Sequence, residues 1–284
     1  MKLAYNVATT KGNATLEQDL ELCEKYGFDF IEIQMWKLPA YLENHSLDDL
    51  AGFFRTHHLK LLSLNALEFF NNRSKEDEEQ IIQTFKEWLE IGKKLGAPYI
   101  VAVPNITEEK ILLEDIKKSC VKMLREFSDL AKGYGIKIAF EFIGHPQATV
   151  NTFKQGYEIV QEVNRDNVGL VLDCFHFHGM GSRLDELKQA DGSKIFLLHI
   201  DDTDDYPIGI LRDEDRCWPG QGAIDLDGIL STLKEIGFHG EACSIELFRP
   251  EYYKMNPEEV IKTSKETMVD VLSKHYEVKG SINQ

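Results

Sequence analysis

Four side chains able to hold a metal ion stand at the ends of four successive apolar runs. They are Glu141 in Ala139-Phe140-Glu141-Phe142, Asp173 in Leu170-Val171-Leu172-Asp173, His199 in Leu197-Leu198-His199-Ile200 and Glu246 in Ser244-Ile245-Glu246-Leu247. The steps between them are 32, 26 and 47 residues. The first two match one strand–helix–strand unit of ~30 residues; the third is stretched by a loop over 201–223. If the runs are neighbouring parallel strands, the four side chains stand at similar depth at one end of a sheet or barrel. Three converging carboxylates without a cation would repel one another and resist ionisation. A divalent ion removes that cost, and three oxygens with one imidazole suit Mn, Co, Fe(II) or Zn. Taken singly, a strand-end Asp is commonly a helix cap, a strand-end Glu an ion-pair partner and a lone His a core residue. Four together at matched depth predict one divalent metal ion.

The elements that must position them are legible as alternation. Strand-like runs fall at 3–7, 30–33, 59–65, 99–104, 137–142, 168–173, 195–201 and 241–247, several apolar on both faces as buried parallel strands are. Amphipathic stretches lie between them. Ser46-Leu-Asp-Asp49 reads as a capping box. Thr107-Glu-Glu is expected to open a helix carrying Ile111, Ile116, Met123 and Phe127, and Asn256-Pro257 a last one, with Pro at its first position. Gly27, Gly96 and Gly135 each close a helical stretch before a strand. Eight such units allow a doubly wound sheet or a closed barrel. The first turn, Val7-Ala-Thr-Thr-Lys-Gly12, lacks the GxGxxG of a dinucleotide-binding sheet. The expectation is therefore an α/β protein, a single (β/α)8 TIM barrel over residues 1–284, whose tail from 276 has no core-facing pattern.

The 284 residues carry 48 acidic and 32 basic side chains, a net charge of −16, which disfavours phosphate backbones and anionic lipid. No nucleic acid and no membrane are expected as partners. Five cysteines without a CxxC pair, and an N-terminus that turns polar too early for a signal peptide, point to the cytoplasm. The loops after the last two strands, Asp-Asp-Thr-Asp-Asp and Phe-Arg-Pro-Glu, form no Gly-rich phosphate cradle, so a neutral polyol is favoured over a sugar phosphate. No lysine closes the last four strands, leaving Schiff-base chemistry without a nucleophile there. Trp36, Asn65 and His145 follow other strand ends, where they would line a pocket, and the acidic stretch 201–205 reads as a solvated loop.

The chain resembles the xylose isomerase-like TIM barrel family of sugar isomerases, epimerases and apurinic-site endonucleases. The resemblance runs through Asp19-Leu-Glu-Leu-Cys-Glu-Lys25, Leu64-Asn-Ala-Leu67, Val101-Ala-Val-Pro104, Asp173-Cys-Phe-His-Phe-His178, His199-Ile-Asp-Asp202 and Trp218-Pro-Gly-Gln-Gly222. Three stretches, Phe69-Phe-Asn-Asn-Arg73, Gly144-His-Pro-Gln147 and Glu246-Leu-Phe-Arg-Pro-Glu-Tyr-Tyr253, are similar to the 2-keto-myo-inositol (inosose) isomerases of inositol catabolism within it.

That resemblance implies an α-hydroxyketone held by the metal and an enediolate formed when its α-proton leaves. It makes Glu141 and Glu246 catalytic as well as metal ligands, facing opposite sides of the reacting carbons. Return of the proton to the adjacent carbon isomerises, and return to the same carbon on the other face epimerises. The residues leave both open; the resemblance selects isomerisation of 2-keto-myo-inositol to 1-keto-D-chiro-inositol over a ketose 3-epimerase. His176 and Arg216 are implied to bind substrate oxygens, Arg216 having a surface ion pair with Asp213 or Asp215 as its competing explanation. The endonuclease alternative needs further histidine ligands, whereas the third and fourth runs end in Asn65 and Pro104 and the loop reads Asp213-Glu-Asp-Arg-Cys217. A metal-stabilised binding barrel would keep the four ligands yet exchange no proton.

Overall fold

Alternation of this kind closes into a ring of parallel strands. The computed structural model describes residues 1–240 and 242–278. Eight strands form the closed barrel: β1 (Lys2–Asn6), β2 (Phe30–Gln34), β3 (Lys60–Leu67), β4 (Tyr99–Ala102), β5 (Lys137–Glu141), β6 (Val168–Asp173), β7 (Ile195–Ile200) and, after the two-residue β8 (Asp202–Thr203) and β9 (Arg216–Cys217), β10 (Ala242–Ile245). Their order is β1-β10-β7-β6-β5-β4-β3-β2, every neighbouring pair parallel, while β8 and β9 make a separate antiparallel ladder. The helices of the connections are α1 (Leu16–Lys25), α2 (Leu38–Leu42), α3 (Leu47–Thr56), α4 (Lys75–Leu95), α5 (Leu113–Ala131), α6 (Phe153–Val163), α7 (Cys174–Gly179), α8 (Leu184–Leu187) and α9 (Leu226–Glu235), with α10 (Pro257–Leu272) after the last strand.

Strand alternation divides the core into two layers. Leu3, Tyr5, Ile138, Phe140, Leu170, Leu172, Leu198 and Ile200 face the helices and join the larger cluster. Residues of the opposite parity, Ala4, Val101, Ala139, Val171, Leu197 and Ala242, form a smaller one. Period 2 places Glu141, Asp173, His199 and Glu246 on the same inward face as Ala139, Val171, Leu197 and Ala242, toward the C-terminal end of each strand. The apolar inner layer thus plugs the barrel beneath the polar one, as barrel packing requires.

The caps follow the sequence signals. Ser46 and Asp49 form the capping box of α3, and Asn256 caps α10 with Pro257 at its first position. Gly27, Gly96 and Gly135 take φ of 68, 77 and 71°, which only a residue without Cβ adopts freely. The helix expected to open at Thr107 begins instead at Leu113. Residues 103–112 run along the barrel rim, where Ile106 bridges Ala148 and the Thr107 amide donates to Gln147 O; its hydroxyl satisfies only Glu109 N. Strand limits shift by up to two residues: Val7 starts a 3-10 turn, and β4 ends at Ala102 rather than at Pro104. Glu241, the first residue of the expected last strand, and residues 279–284 of the expected loose tail lie outside the described residues. The described part of that tail does touch the core, for Tyr276 Oη donates to Leu230 O and Val278 packs against the main cluster.

Candidate metal centre

Each of the four ligand candidates is delivered by a strand end. Glu141 closes β5, Asp173 closes β6, His199 is the penultimate residue of β7 and Glu246 follows β10. One ligating atom from each lies within 4.8 Å of the other three, and all four residues are buried. Among the described residues this is the one such group. His199 Nδ1 sits 3.1 Å from Glu141 Oε1, 3.4 Å from Glu246 Oε2 and 3.8 Å from Asp173 Oδ2. Yet neither Nδ1 nor Glu141 Oε1 is aligned for a hydrogen bond with anything. Buried polar atoms without partners are rare, and here two of them point into one nest of lone pairs. A donor set of three carboxylates and an imidazole at this spacing fits a divalent ion.

The electrostatics carry the same strain. Burial pushes the Glu141 carboxyl up to about 7, with Glu246 and Asp173 adding to the rise and His199 opposing it. Burial also disfavours the imidazolium at His199, but Glu32, Glu141 and Glu246 outweigh it and raise that group well above its ordinary value. Asp173 goes the other way: burial resists its charge, but Arg216, His176 and His199 prevail and hold it down at about 2.

Asp173 does two jobs. Its Oδ1 accepts the His176 amide at 2.7 Å and so caps α7, while Oδ2 faces His199 and accepts Arg216 Nη1 at 2.7 Å. The structural and the ligand explanations of a strand-end Asp are therefore both true of the same residue. Glu246 is steadied by Asn6 Nδ2 at 2.7 Å and Gln34 Nε2 at 3.1 Å, both donating to Oε1.

A cavity of about 290 Å³ opens over the cluster, at the small end of the usual ~300–1,000 Å³ for ligand pockets. Glu141, Glu246, His176, Arg216, Trp36 and Asn65 all contribute to its wall. Arg216 Nη2 donates to His176 Nε2 at 3.1 Å, so the hydrogen of a neutral His176 is on Nδ1, which has no partner. Burial, the largest influence, lowers the pKa of His176 and keeps it neutral. Asn65 Nδ2 is likewise buried without a partner. Trp36 stands at the rim, 42% exposed, its Nε1 bonded to Gln34. His145 is not part of the wall: its Nδ1 accepts the Gln147 amide within its own turn.

Two readings of the 201–223 loop are corrected. Arg216 does pair with Asp213, at 2.9 Å, but not on the surface: it is 1% exposed and also bonds Asp173 and Asp201. Asp201 and Asp202 are not a solvated acidic stretch. Asp201 accepts the Phe175 amide and Arg216, and Asp202 gathers the amides of Thr203, Gly220, Gly222 and Ile224. Asp201 lies two residues beyond His199, so strand parity was the available signal. Glu32 was also missed. It sits in the apolar run of β2, fully buried, with Oε1 3.1 Å from His199 Nε2. A charged residue inside such a run must have a buried partner, and that was its signal.

A closed barrel of eight parallel strands, with a metal-type cluster at their C-terminal ends, defines the class. The chain belongs to the xylose isomerase-like TIM barrel family, whose model matches residues 20–271. It is 64% identical over 277 residues to a protein of Bacillus subtilis (strain 168) named inosose isomerase, covering 97% of this chain and 99% of that one. A Bacillus velezensis protein of the same name is 63% identical with the same coverage. Among solved structures, the 1.8 Å crystal structure of the IOLI protein with a binding zinc atom matches with a TM-score of 0.96 and 64% identity, over 98% of this chain and 100% of that one.

Proposed function

We propose that this chain, as one barrel domain, is a divalent-metal-dependent inosose isomerase that interconverts 2-keto-myo-inositol and 1-keto-D-chiro-inositol. The observation that carries this reading is identity of 63–64% to proteins of that name over nearly their whole length. The cluster of Glu141, Asp173, His199 and Glu246 supports the chemistry, and the zinc of the similar IOLI structure supports one divalent ion, Mn, Co, Fe or Zn, held by those four residues. Such an ion, when bound, polarises a ketone and the neighbouring hydroxyl and stabilises negative charge on their oxygens.

This chain's residues do the rest. Glu141, which closes β5, and Glu246, which follows β10, both line the cavity and are the proton carriers. One removes the hydrogen from the carbinol carbon to give an enediolate. A carboxylic acid then delivers a proton to the former carbonyl carbon, while the hydroxyl proton passes to the other oxygen. One proton leaves carbon and one returns, so the reaction is a pure isomerisation. His176 Nδ1 and Asn65 Nδ2, buried donors without partners, hold substrate oxygens. Arg216 lines the same wall but acts chiefly by fixing His176 and Asp173. Trp36 covers the mouth, and His145 supports the adjacent turn. The substrate is a small neutral cyclitol ketone. The cytoplasm is the compartment that suits five buried, unpaired cysteines. Among the described residues no helix is long and apolar enough to cross a membrane.

The test is turnover of 2-keto-myo-inositol by metal-loaded protein in deuterated water, followed by NMR. Formation of 1-keto-D-chiro-inositol is expected, with solvent deuterium at the carbon that gains hydrogen if the carboxyl exchanges. Turnover of a ketohexose with none of any inosose would move the assignment to a sugar epimerase.

A further inference from the structure

Beneath the proposed metal ligands lies a carboxylate that does not line the cavity. Glu32, from β2, is wholly buried and reaches across the barrel interior to His199 on β7, three strands away around the ring. Both its oxygens lie against His199 Nε2, Oε1 at 3.1 Å and Oε2 at 3.4 Å. Ser63 Oγ donates to Oε2 at 2.6 Å and fixes the carboxylate from β3. The opposite ring nitrogen, Nδ1, faces Glu141, Asp173 and Glu246.

We propose that Glu32 is the positioning residue that selects the metal-binding nitrogen of His199. An ionised carboxylate only accepts hydrogen bonds, so the nitrogen beside it must carry hydrogen. A bare Nε2 there would set lone pair against lone pair at 3.1–3.4 Å, a separation that leaves no room for anything between them. The neutral ring is thereby forced into the Nε2–H tautomer, and Nδ1 is left with the lone pair that an ion requires. The same contact locks the rotation of the ring and adds negative charge behind it, which makes Nδ1 a better donor. Buried burden alone does not account for the arrangement: a charged Glu in an apolar strand costs stability unless it is paired, and its partner here is the one imidazole in the cluster. The proposal rests on the metal site put forward above but not on the identity of the substrate.

Zinc alone is the probe. Chelator competition with full-length protein should show Glu32→Gln binding zinc about 10–100-fold more weakly than wild type, the usual cost of losing a ligand's outer partner. Circular dichroism should report the same fold. A merely structural role would lower the unfolding midpoint and leave zinc affinity unchanged, and unchanged affinity overturns the proposal. Because the variant can fail to fold, nitrogen-15 NMR of the wild-type imidazoles supplies a second readout. Zinc-loaded protein should show His199 with hydrogen on Nε2 and metal on Nδ1; the reverse assignment overturns the proposal too. Inosose turnover by the wild type is scored separately. A wild type that binds zinc through Nδ1 but leaves inosose unchanged sinks the substrate assignment and keeps this one.

Discussion

Glu141 and Glu246 share a role in the proposed reaction but not an environment. Glu246 Oε1 is held by the amides of Asn6 and Gln34, whereas Glu141 Oε1 has no hydrogen-bond partner. A glutamine at either position keeps the shape and loses the base. General-base catalysis supplies ~10²–10⁴-fold in rate, so Glu141→Gln and Glu246→Gln with their metal retained should each lose at least the lower figure in turnover. The two variants should differ in metal retention. At 246 the amide oxygen is claimed by Asn6 and Gln34, which turns its NH2 toward the cluster, where it cannot ligate. Elemental analysis should therefore find less metal in Glu246→Gln than in Glu141→Gln, making the latter the cleaner test. Near-normal turnover in both metal-replete variants would remove the carboxylates from proton transfer and leave His176 as the next group to examine.

At the scale of elements, the loop over 201–223 decides how the site is braced. It leaves β7, returns through the β8–β9 ladder and brings Arg216 against the cluster, where it bonds Asp173. Asp202 holds this path by accepting four backbone amides, three of them from residues 220–224. Gly222 fits only because it has no side chain: a Cβ there would stand 2.2 Å from Thr203 O. Hydrogen bonds to a charged acceptor contribute about 1.5–3 kcal/mol each, and losing the acceptor strands buried donors. Asp202→Ala should accordingly cost roughly 3 kcal/mol in urea unfolding and lower activity by releasing Arg216. A variant with wild-type stability would show that the loop is held elsewhere.

For the whole molecule, the cluster makes stability depend jointly on metal and pH. In chelator-treated protein Glu141 keeps a proton up to about 7, while the unfolded chain releases it near 4.5. The folded state then binds more protons than the unfolded one across that window, so its stability falls as pH rises. His199, raised well above its ordinary value, acts in the same direction. Asp173 acts oppositely at the acid end: its contribution is present above 3.8 and lost as pH falls toward about 2. A bound divalent ion takes the place of the protons on Glu141 and His199, so metal should stabilise more as pH rises. The rise in Tm on adding zinc should be larger near pH ~8 than near pH ~5, because binding releases protons. An equal rise at both would mean that zinc binds outside this cluster.

What the sequence determined by itself was local and periodic. Apolar runs with buried-strand composition, a capping box at Ser46 and glycines at helix ends each act within a few residues, and eight repeats of the unit allow a doubly wound sheet or a ring, of which a first turn without GxGxxG favours the ring. Period 2 within a strand then places Glu141, Asp173 and His199 inward at the strand ends without reference to the rest of the chain. The helix before Ile116 was misplaced because Thr107 has a capping residue's chemistry but is held by Gln147, a partner 40 residues away that only the rim brings near. Tertiary structure alone decided the partners across the barrel. Glu32 meets His199 over 167 residues of sequence, and Arg216 meets Asp173 over 43. The first depends on barrel closure, which brings inward side chains of β2 and β7 together, and the second on the 201–223 loop, whose β8–β9 ladder carries Arg216 back to the end of β6. The path of that loop also decided that Asp201 and Asp202 are buried, because an acidic loop is solvated only if nothing folds over it. In this protein the 201–223 chain does, and it carries the arginine and the backbone amides that make the burial tolerable.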